Sequence, residues 1–226
     1  MNKIDEKAKA AKLAALKKAM AGIDKSLKKK NVIRFLNEDD FTDVECLPTG
    51  ILQLDAACTG HGIKRGTVVE LFGGESSGKS LICQRMIGAV QKQGGVAAYV
   101  DQEFAFDPSF AKKLGVNSDE LPISQPDNME ECFSVIDGLI NAGIDLIVLD
   151  SMAALVPKEE LEGGVSDAHI GLVARGMSQA LRRWIGALSK SGGVLLIVNQ
   201  VRDKIGVNNS FILPVSWTNQ VDAIAA

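Results

Sequence analysis

The stretch Gly73-Gly74-Glu75-Ser76-Ser77-Gly78-Lys79-Ser80 has the pattern GxxxxGK[ST]. An apolar run, Thr67–Phe72, precedes it, and a helical pattern from Lys79 to about Gln93 follows it. Glycines let a backbone wrap around a phosphate, and the amides at a helix start donate hydrogen bonds to that phosphate. We therefore predict a phosphate-binding loop between a strand and a helix.

The last two residues of this loop have separate roles in such a site. The Lys79 ammonium can reach the β and γ phosphates of a nucleotide, and the Ser80 hydroxyl can hold Mg²⁺. A glycine-rich turn with a solvated lysine could have the same sequence, but the position between a strand and a helix argues against this alternative. The loop thus predicts a nucleoside triphosphate and Mg²⁺ as ligands.

From about residue 66 the chain alternates between short apolar runs and helical patterns. The predicted strands are Thr67–Phe72, Val96–Val100, Leu121–Ser124, Asp145–Leu149 and Val194–Val198. The helices after the first are predicted from Asp107 to Leu114, from Asn128 to Asn141 and from Ile170 to Ser189. Apolar strands joined by helices predict a parallel sheet covered on both faces, with ligands beyond the carboxyl ends of its strands.

Two acidic residues follow predicted strands. Asp150 comes directly after Asp145–Leu149, where a carboxylate can hold the water shell of Mg²⁺. Glu103 lies three residues past Val96–Val100, and it can orient an attacking water if that strand neighbours the strand of the phosphate-binding loop. Each alone could be an ordinary turn residue. Together with the loop they predict hydrolysis of a nucleoside triphosphate.

The composition of the 226 residues is that of a soluble globular protein, with 46% hydrophobic and 23% charged residues and a net charge of −3. No internal repeat, membrane-spanning run or signal peptide is visible, so we expect a cytoplasmic protein without membrane contact. The four cysteines contain no CxxC pair, and the two histidines are far apart, so free thiols and no zinc site are expected.

The N-terminal segment differs from the rest in charge. Residues 1–30 hold ten lysines against three acidic residues, a balance of about +7, which leaves about −10 for the remainder of a chain whose total is −3. An apolar stripe at helical spacing crosses it, and a short β-like run, Val32–Leu36, follows. One helix and one strand cannot close a core. The segment therefore either folds back on the main domain or docks on another subunit.

Taken in order, a series of stretches makes the chain similar to the bacterial RecA recombinase family. They are GGESSGKS (73–80), YVDQEFAFDP (99–108), LGV (114–116), ISQPD (123–127), LIVLDSMAAL (146–155), MSQALR (177–182) and IVNQVRDKIGV (197–207). The resemblance implies a P-loop NTPase (RecA-like) α/β core with a mainly parallel sheet. It also implies ATP-dependent DNA strand exchange in recombination and repair, by protomers that form helical filaments.

The resemblance assigns residues to an ATP site. Glu103 matches the catalytic glutamate, and Lys79 is the second residue that we assign to catalysis. Asp150 and Ser151 match the second ATP motif, with Ser80 and Asp150 at Mg²⁺. Gln200 matches a glutamine that senses the γ-phosphate and couples it to a second DNA-binding loop. The residues that the resemblance places near the adenine are Asp107 and Phe110.

The resemblance also implies contacts with single-stranded and double-stranded DNA. Residues 160–171 match a first DNA-binding loop, in which Gly163 and Gly164 give mobility and Ile170 stands where the family wedges an apolar side chain between bases. The basic residues placed against the DNA backbone are Arg175, Arg182 and, as an addition, Arg183. Without the resemblance, a surface helix with solvated arginines is the alternative. Residues 1–36 correspond to an arm that docks on the adjacent protomer.

The matching series stops after Val207. We predict three regions: a protomer-docking helix and strand (1–36), an ATPase core incomplete at its C-terminal side (37–207) and a divergent tail (208–226) that leaves an exposed sheet edge. The main alternative is a truncated, non-catalytic relative that binds ATP or co-assembles with intact protomers. Another P-loop enzyme, such as a small kinase, is less compatible because arginines for a lid over the phosphates are sparse.

Overall fold

A computed structural model of the chain describes residues 6–30, 32, 33, 35, 44–58, 61–163, 171–200 and 222–225. The chain divides into two units, Met1–Val44 and Glu45–Ala226. The domain boundaries that we placed after residues 36 and 207 stay predictions.

The first unit contains one long helix, α1 (Glu6–Leu27). Its apolar stripe has the spacing of three and four residues that the sequence predicts. Leu13, Leu16 and Leu27 on this stripe are between 40% and 55% exposed. The apolar face of α1 therefore stays largely open to solvent.

The segment after α1 differs from its prediction. Val32 and Ile33 form a bend rather than the predicted strand Val32–Leu36. The amide of Val32 donates a hydrogen bond of 2.9 Å to Asp24 Oδ1, which turns the chain back towards the end of the helix. A strand needs a neighbouring strand for its backbone hydrogen bonds, and the described residues of this unit contain none. Arg34 and Leu36 lie outside the described residues.

The second unit begins with three short elements that the sequence analysis did not predict. They are β1 (Cys46–Leu47), α2 (Leu52–Ala57) and β2 (Ile63–Lys64), and the two strands pair antiparallel. The amide and hydroxyl of Thr49 both donate to Asp55 Oδ1 at 2.7 Å, which ties the loop after β1 to α2. Elements of two to six residues are too short to show a hydrophobic period.

The rest of this unit alternates between strands and helices as predicted, with one further helix, Lys158–Glu162, and one further strand, Asp222–Ala225, that the sequence analysis did not predict. The strands are β3 (Val68–Gly73), β4 (Ala97–Asp101), β5 (Ile123–Ser124), β6 (Leu146–Asp150), β7 (Val194–Gln200) and β8 (Asp222–Ala225). The helices are α3 (Lys79–Lys92), α4 (Pro108–Lys113), α5 (Met129–Asn141), α6 (Lys158–Glu162) and α7 (Leu172–Ser191). None of the helices in the described part of the chain is long and apolar enough to cross a lipid bilayer.

Strands β3 to β8 form one six-stranded sheet in the order β5-β4-β6-β7-β3-β8, and every pairing is parallel. The carboxyl ends of all strands therefore meet at one edge, as predicted. Strand β4 does not neighbour β3, because β6 and β7 lie between them. The sequence analysis made the role of Glu103 depend on β4 lying next to β3, and this condition is not met. Glu103 instead reaches the site from a strand that β6 and β7 separate from β3.

The edge beyond β3 also differs from the prediction. Strand β8 comes from the predicted divergent tail and pairs with β3 from Val69–Asp222 to Phe72–Ala225. The expectation of an exposed edge is therefore wrong for β3. An extended segment can satisfy the backbone groups that an edge strand leaves open, whatever its own side chains are. Residues 201–221, between β7 and β8, lie outside the described residues.

Both faces of the sheet are covered, as predicted. Helices α5 and α7 pack on one face, where Trp184 is 1% exposed and meets the Phe133 ring edge to face at 5.3 Å between ring centroids. Helix α3 packs on the other face, where Met86 and Ile87 are fully buried against the strands. The site residues at the carboxyl edge are thus mounted on a rigid, close-packed core.

An ion pair links the turn before β3 to the start of β6. Arg65 Nη1 lies 2.7 Å from Asp145 Oδ1, and the Val96 amide donates to Asp145 Oδ2 at 2.9 Å. Burial acts to raise the pKa of Asp145, but the hydrogen bonds from Val96 and Arg65 outweigh it, so this pKa is lowered. A depressed pKa means that the ionised carboxylate stabilises the folded state.

We expect Asp145→Asn to lower the free energy of unfolding by about 1 kcal/mol at neutral pH, because the pair is partly exposed and screened by solvent. The stabilisation by the ionised group is complete above the unfolded pKa of about 3.9 and is lost as pH falls through the lower folded value. Urea unfolding of both proteins at pH 7 and at several values below 4 measures this. A stability difference that stays constant down the pH series would contradict the assignment.

Candidate nucleotide-binding site

The phosphate-binding loop connects the end of β3 to the start of α3. Gly78 precedes the helix with φ +92°, a conformation that side-chain-bearing residues rarely adopt. A Cβ at Gly74 or Gly78 would meet no atom within 4 Å, so the loop is lined by open space on that side. The glycines therefore shape the backbone and leave room above it for a ligand.

The Lys79 side chain folds back over this loop. Its Nζ donates hydrogen bonds to the carbonyl oxygens of Gly74 at 2.6 Å and Gly73 at 3.3 Å, and the residue is only 7% exposed. A buried ammonium is stable only when its donors are satisfied. The two carbonyls satisfy part of this requirement and hold the positive charge at the loop.

A pocket of about 490 Å³ opens above the loop. Nine of the predicted site residues line it together with Leu81; they are Glu75, Ser76, Ser77, Gly78, Lys79, Ser80, Glu103, Asp150 and Gln200. Gly73 and Gly74 do not line it but hold Lys79 through their carbonyls. Four separate segments of the chain thus converge on one pocket.

The Ser80 hydroxyl and the Asp150 carboxylate meet on one side of this pocket. Ser80 Oγ donates to Asp150 Oδ2 at 2.7 Å, and Tyr99 Oη donates to the same oxygen at 2.5 Å. Burial raises the pKa of Asp150, and these two hydrogen bonds act in the opposite direction. Oxygen donors from a hydroxyl and a carboxylate fit the preference of Mg²⁺ for hard ligands.

Tyr99 is a site residue that the sequence analysis missed. It is 2% exposed on β4, and its pKa is raised chiefly by burial and then by the charge of Asp150. The phenol therefore stays protonated and remains a hydrogen-bond donor to the carboxylate. The signal in the sequence is a single polar-tipped residue in the otherwise apolar strand AAYV.

Glu103, which also lines the pocket, is held by two hydrogen-bond donors. Ser151 Oγ donates to Glu103 Oε1 at 2.6 Å, and Gln200 Nε2 donates to the same oxygen at 2.7 Å. These three residues follow or end β4, β6 and β7. The carboxylate of this pocket-lining residue is thus oriented through one oxygen by residues at the ends of β6 and β7.

The two residues assigned to the adenine do not line this pocket. Asp107 caps α4, accepting hydrogen bonds from the Ser109 amide at 2.8 Å and the Phe110 amide at 3.2 Å. The Ser109 hydroxyl and these amides lower the pKa of Asp107. The Phe110 ring is 39% exposed. Their role at an adenine stays a prediction, and the cap itself is the role that the Asp-Pro pattern predicts.

The residues assigned to DNA lie on and before α7. Arg175 and Arg182 are exposed and seven residues apart, which places them on one face of the helix. Arg183 is also exposed, but its Nη2 is 3.0 Å from Asp137 Oδ2 on α5. Gly163 directly follows α6, whereas Gly164 and Ile170 lie outside the described residues. The DNA roles of all these residues stay predictions.

The fold and this site define the class of the protein. A parallel strand, the GxxxxGK[ST] loop and the following helix, with Asp150 ending the strand two places away, are the arrangement of P-loop nucleotide-binding α/β proteins. Comparison with known proteins identifies the family within this class: a family model described as the RecA N-terminal domain matches residues 14–214. The chain belongs to this RecA family.

Curated proteins named Protein RecA are similar over most of this chain. That of Bifidobacterium breve is 49% identical over 195 residues, which cover 86% of this chain and 50% of the relative. That of Mycobacterium ulcerans is 49% identical over 194 residues, covering 85% and 56%. That of Citrifermentans bemidjiense is 48% identical over 194 residues, covering 85% and 57%. The chain thus spans about half the length of these relatives, and the resemblance drawn from its motifs is confirmed.

Proposed function

We propose that this chain is an ATP-dependent, DNA-binding recombinase of homologous recombination and DNA repair, acting in the cytoplasm as a DNA-dependent ATPase. The observation that carries the ATPase part is the convergence of Lys79, the Ser80–Asp150 pair and Glu103 on one pocket. The resemblance to the recombinase family carries the DNA part. A non-catalytic relative is less well supported, because Glu103 is present and held in place by Ser151 and Gln200.

In this proposal the loop amides and Lys79 bind the phosphates of ATP. Lys79 exchanges its carbonyl partners for phosphate oxygens, which are stronger acceptors because they are charged. Ser80 and Asp150 are the residues that would hold Mg²⁺, which neutralises phosphate charge when bound. Glu103 orients a water molecule towards the γ-phosphate and accepts its proton. The side chain of Gln200 is hydrogen-bonded to Glu103, and we assign to it the sensing of whether the γ-phosphate is present.

The DNA-binding part rests on α7 and the filament part on α1. Arg175 and Arg182 form one exposed basic row that can neutralise backbone phosphates of single-stranded or double-stranded DNA. The exposed leucines of α1 offer an apolar face to a second copy of the chain. We propose that residues 1–36 use this face to dock on the adjacent protomer of a filament.

ATP turnover measured with and without single-stranded DNA tests the proposal. We expect turnover that requires Mg²⁺ and rises when single-stranded DNA is added, because DNA binding and the γ-phosphate site are linked through Gln200. Equal and negligible rates with and without DNA, matched by those of a Glu103→Gln variant, would contradict the enzymatic proposal.

The basic row on α7 can be tested by salt dependence. We expect Arg182→Ala to weaken single-stranded DNA binding and to reduce the slope of log affinity against log salt by about 1, since one phosphate contact is lost. Arg183→Ala is the matched control on the next residue: its guanidinium is already held by Asp137, so we expect a smaller change in slope. If both variants and the unmodified chain gave equal slopes, the assignment of Arg182 to the DNA-binding site would be contradicted.

A further inference from the structure

A buried acidic residue lies in the core beneath the pocket. Glu70 is the third residue of β3 and is only 3% exposed. Side chains alternate along a strand, so Glu70 shares with Val68 the face covered by α5 and α7. Burial raises the pKa of Glu70, and a hydrogen bond from Asn199 acts against this rise. Burying a carboxyl group costs stability unless hydrogen bonds compensate for the lost hydration.

The partner of Glu70 is the side chain of Asn199 on the neighbouring strand. Asn199 Nδ2 donates to Glu70 Oε1 at 2.8 Å, and Asn199 Oδ1 accepts a hydrogen bond of 2.9 Å from the Gln200 amide. Asn199 is itself only 5% exposed. Both ends of one buried carboxamide are therefore used, one towards the core and one towards the backbone of Gln200.

The link continues from Gln200 into the pocket. Its Nε2 donates to Glu103 Oε1 at 2.7 Å, and it is the last residue of β7. Hydrogen bonds thus link Glu70 in the core to Asn199, Asn199 to the backbone amide of Gln200, and the Gln200 side chain to Glu103. The first link lies on the core face of the sheet and touches neither the phosphate-binding loop nor the Mg²⁺ residues.

We propose that Glu70 and Asn199 are positioning residues that hold Gln200 in the orientation in which it reads the γ-phosphate. This inference rests on the function proposed above. Glu70 acts through the orientation of an amide: because a carboxylate accepts and never donates, it draws Nδ2 of Asn199 towards itself. Oδ1 is then turned to the Gln200 amide, which fixes the backbone that carries the sensor.

Removal of this acceptor would release the constraint. Without Glu70 the Asn199 Nδ2 loses its buried acceptor and the carboxamide is held at one end only, so it is free to turn away from the Gln200 amide. The Gln200 backbone then loses its acceptor, and its side chain loses the fixed approach to Glu103. A purely structural bond between β3 and β7 would instead affect every bound nucleotide alike, because it would act only through the stability of the fold.

Nucleotide titrations of three proteins distinguish these roles. The probes are ADP and a non-hydrolysable ATP analogue, each with Mg²⁺, and the readout is the ratio of their affinities. We expect Glu70→Met to lower the preference for the ATP analogue by about five- to tenfold, the equivalent of one lost hydrogen bond, with ADP affinity retained. Glu70→Gln keeps an acceptor for Asn199 and is expected to keep the preference.

A double variant decides the case in which Glu70→Met does not fold. Glu70→Met with Asn199→Leu replaces both partners of the buried Glu70–Asn199 hydrogen bond by apolar groups, which costs less than leaving one partner unpaired. The Gln200 amide still loses its acceptor, so the double variant should show the same loss of preference. An unchanged ratio in Glu70→Met and in the double variant, or an equal loss of affinity for both nucleotides, would overturn the inference without contradicting the proposal that the unmodified chain binds ATP. Failure of the unmodified chain to bind either nucleotide would instead refute the proposed function, and this inference with it.

Discussion

Replacing Glu103 by glutamine is expected to reduce ATP turnover by about 10²- to 10⁴-fold, the range that a positioned general base contributes. Gln is isosteric and can still accept hydrogen bonds from Ser151 and Gln200, so the pocket should keep its shape. It cannot take a proton from water at neutral pH. Single-turnover hydrolysis and equilibrium binding of ATP, measured on the same preparation, separate the loss of chemistry from any loss of binding.

The matched control for this experiment is Asp119→Asn. It removes one carboxylate from an exposed turn that does not line the pocket, so its turnover should equal that of the unmodified chain. Glu103 would lose its assigned role if Glu103→Gln hydrolysed ATP at the unmodified rate. The same would follow if Asp119→Asn caused an equal loss.

The second large effect is expected in the core at Trp184. This side chain is 1% exposed on α7, it packs edge to face on Phe133, and its Nε1 donates to Asp137 Oδ1 at 2.7 Å. Trp184→Ala should lower the free energy of unfolding by about 3–5 kcal/mol, because a large cavity is left between α7, α5 and the sheet. Urea unfolding followed by circular dichroism measures the change.

A more conservative variant separates the two contributions of Trp184. Trp184→Phe keeps an aromatic ring against Phe133 but loses the donor to Asp137, so we expect a smaller loss of about 1–2 kcal/mol. If Trp184→Phe and Trp184→Ala were equally destabilised, packing would not be the main contribution. Little change in either variant would contradict the placement of α7 on the sheet.

Much of the fold follows from local patterns in the sequence. The apolar runs before Gly73, Asp101 and Asp150 are buried strands, and the 3.6-residue period predicts α3, α5 and α7. Strand order is not a local property, so a position of β4 next to β3 was stated only as a condition for the role of Glu103, and the structure does not meet that condition. Glu103 still reaches the pocket because every strand is parallel and all carboxyl ends share one edge.

The polar residues inside the sheet are the part that local patterns do not predict. Tyr99 and Glu70 each interrupt an apolar run and Asn199 follows one, and a single polar residue does not indicate which partner satisfies its hydrogen bonds. Their partners come from other strands, 51 positions away for Tyr99 and Asp150 and 129 positions away for Glu70 and Asn199. Such pairs can be identified only when the register of the strands and the face of the sheet that each side chain occupies are known.

The resemblance to the recombinase family supplied what residue patterns alone could not. Ser151 and Gln200 would have been read as the ordinary ends of strands, and the structure brings both to Glu103. Conversely, Arg183 was added as a neighbour of Arg182, and the structure pairs it with Asp137. One residue along a helix rotates a side chain by about 100°, which is enough to change its partner.

Calorimetric titration of the chain with ATP and Mg²⁺ tests the central claim most directly, because it measures binding at the pocket without requiring DNA, filaments or hydrolysis. We predict saturable binding that weakens about 10- to 100-fold in Lys79→Ala, the equivalent of losing charge-assisted hydrogen bonds to phosphate, and that also weakens when Mg²⁺ is chelated. Absence of binding by the unmodified chain, or equal affinity in Lys79→Ala, would contradict the assignment of this pocket to ATP.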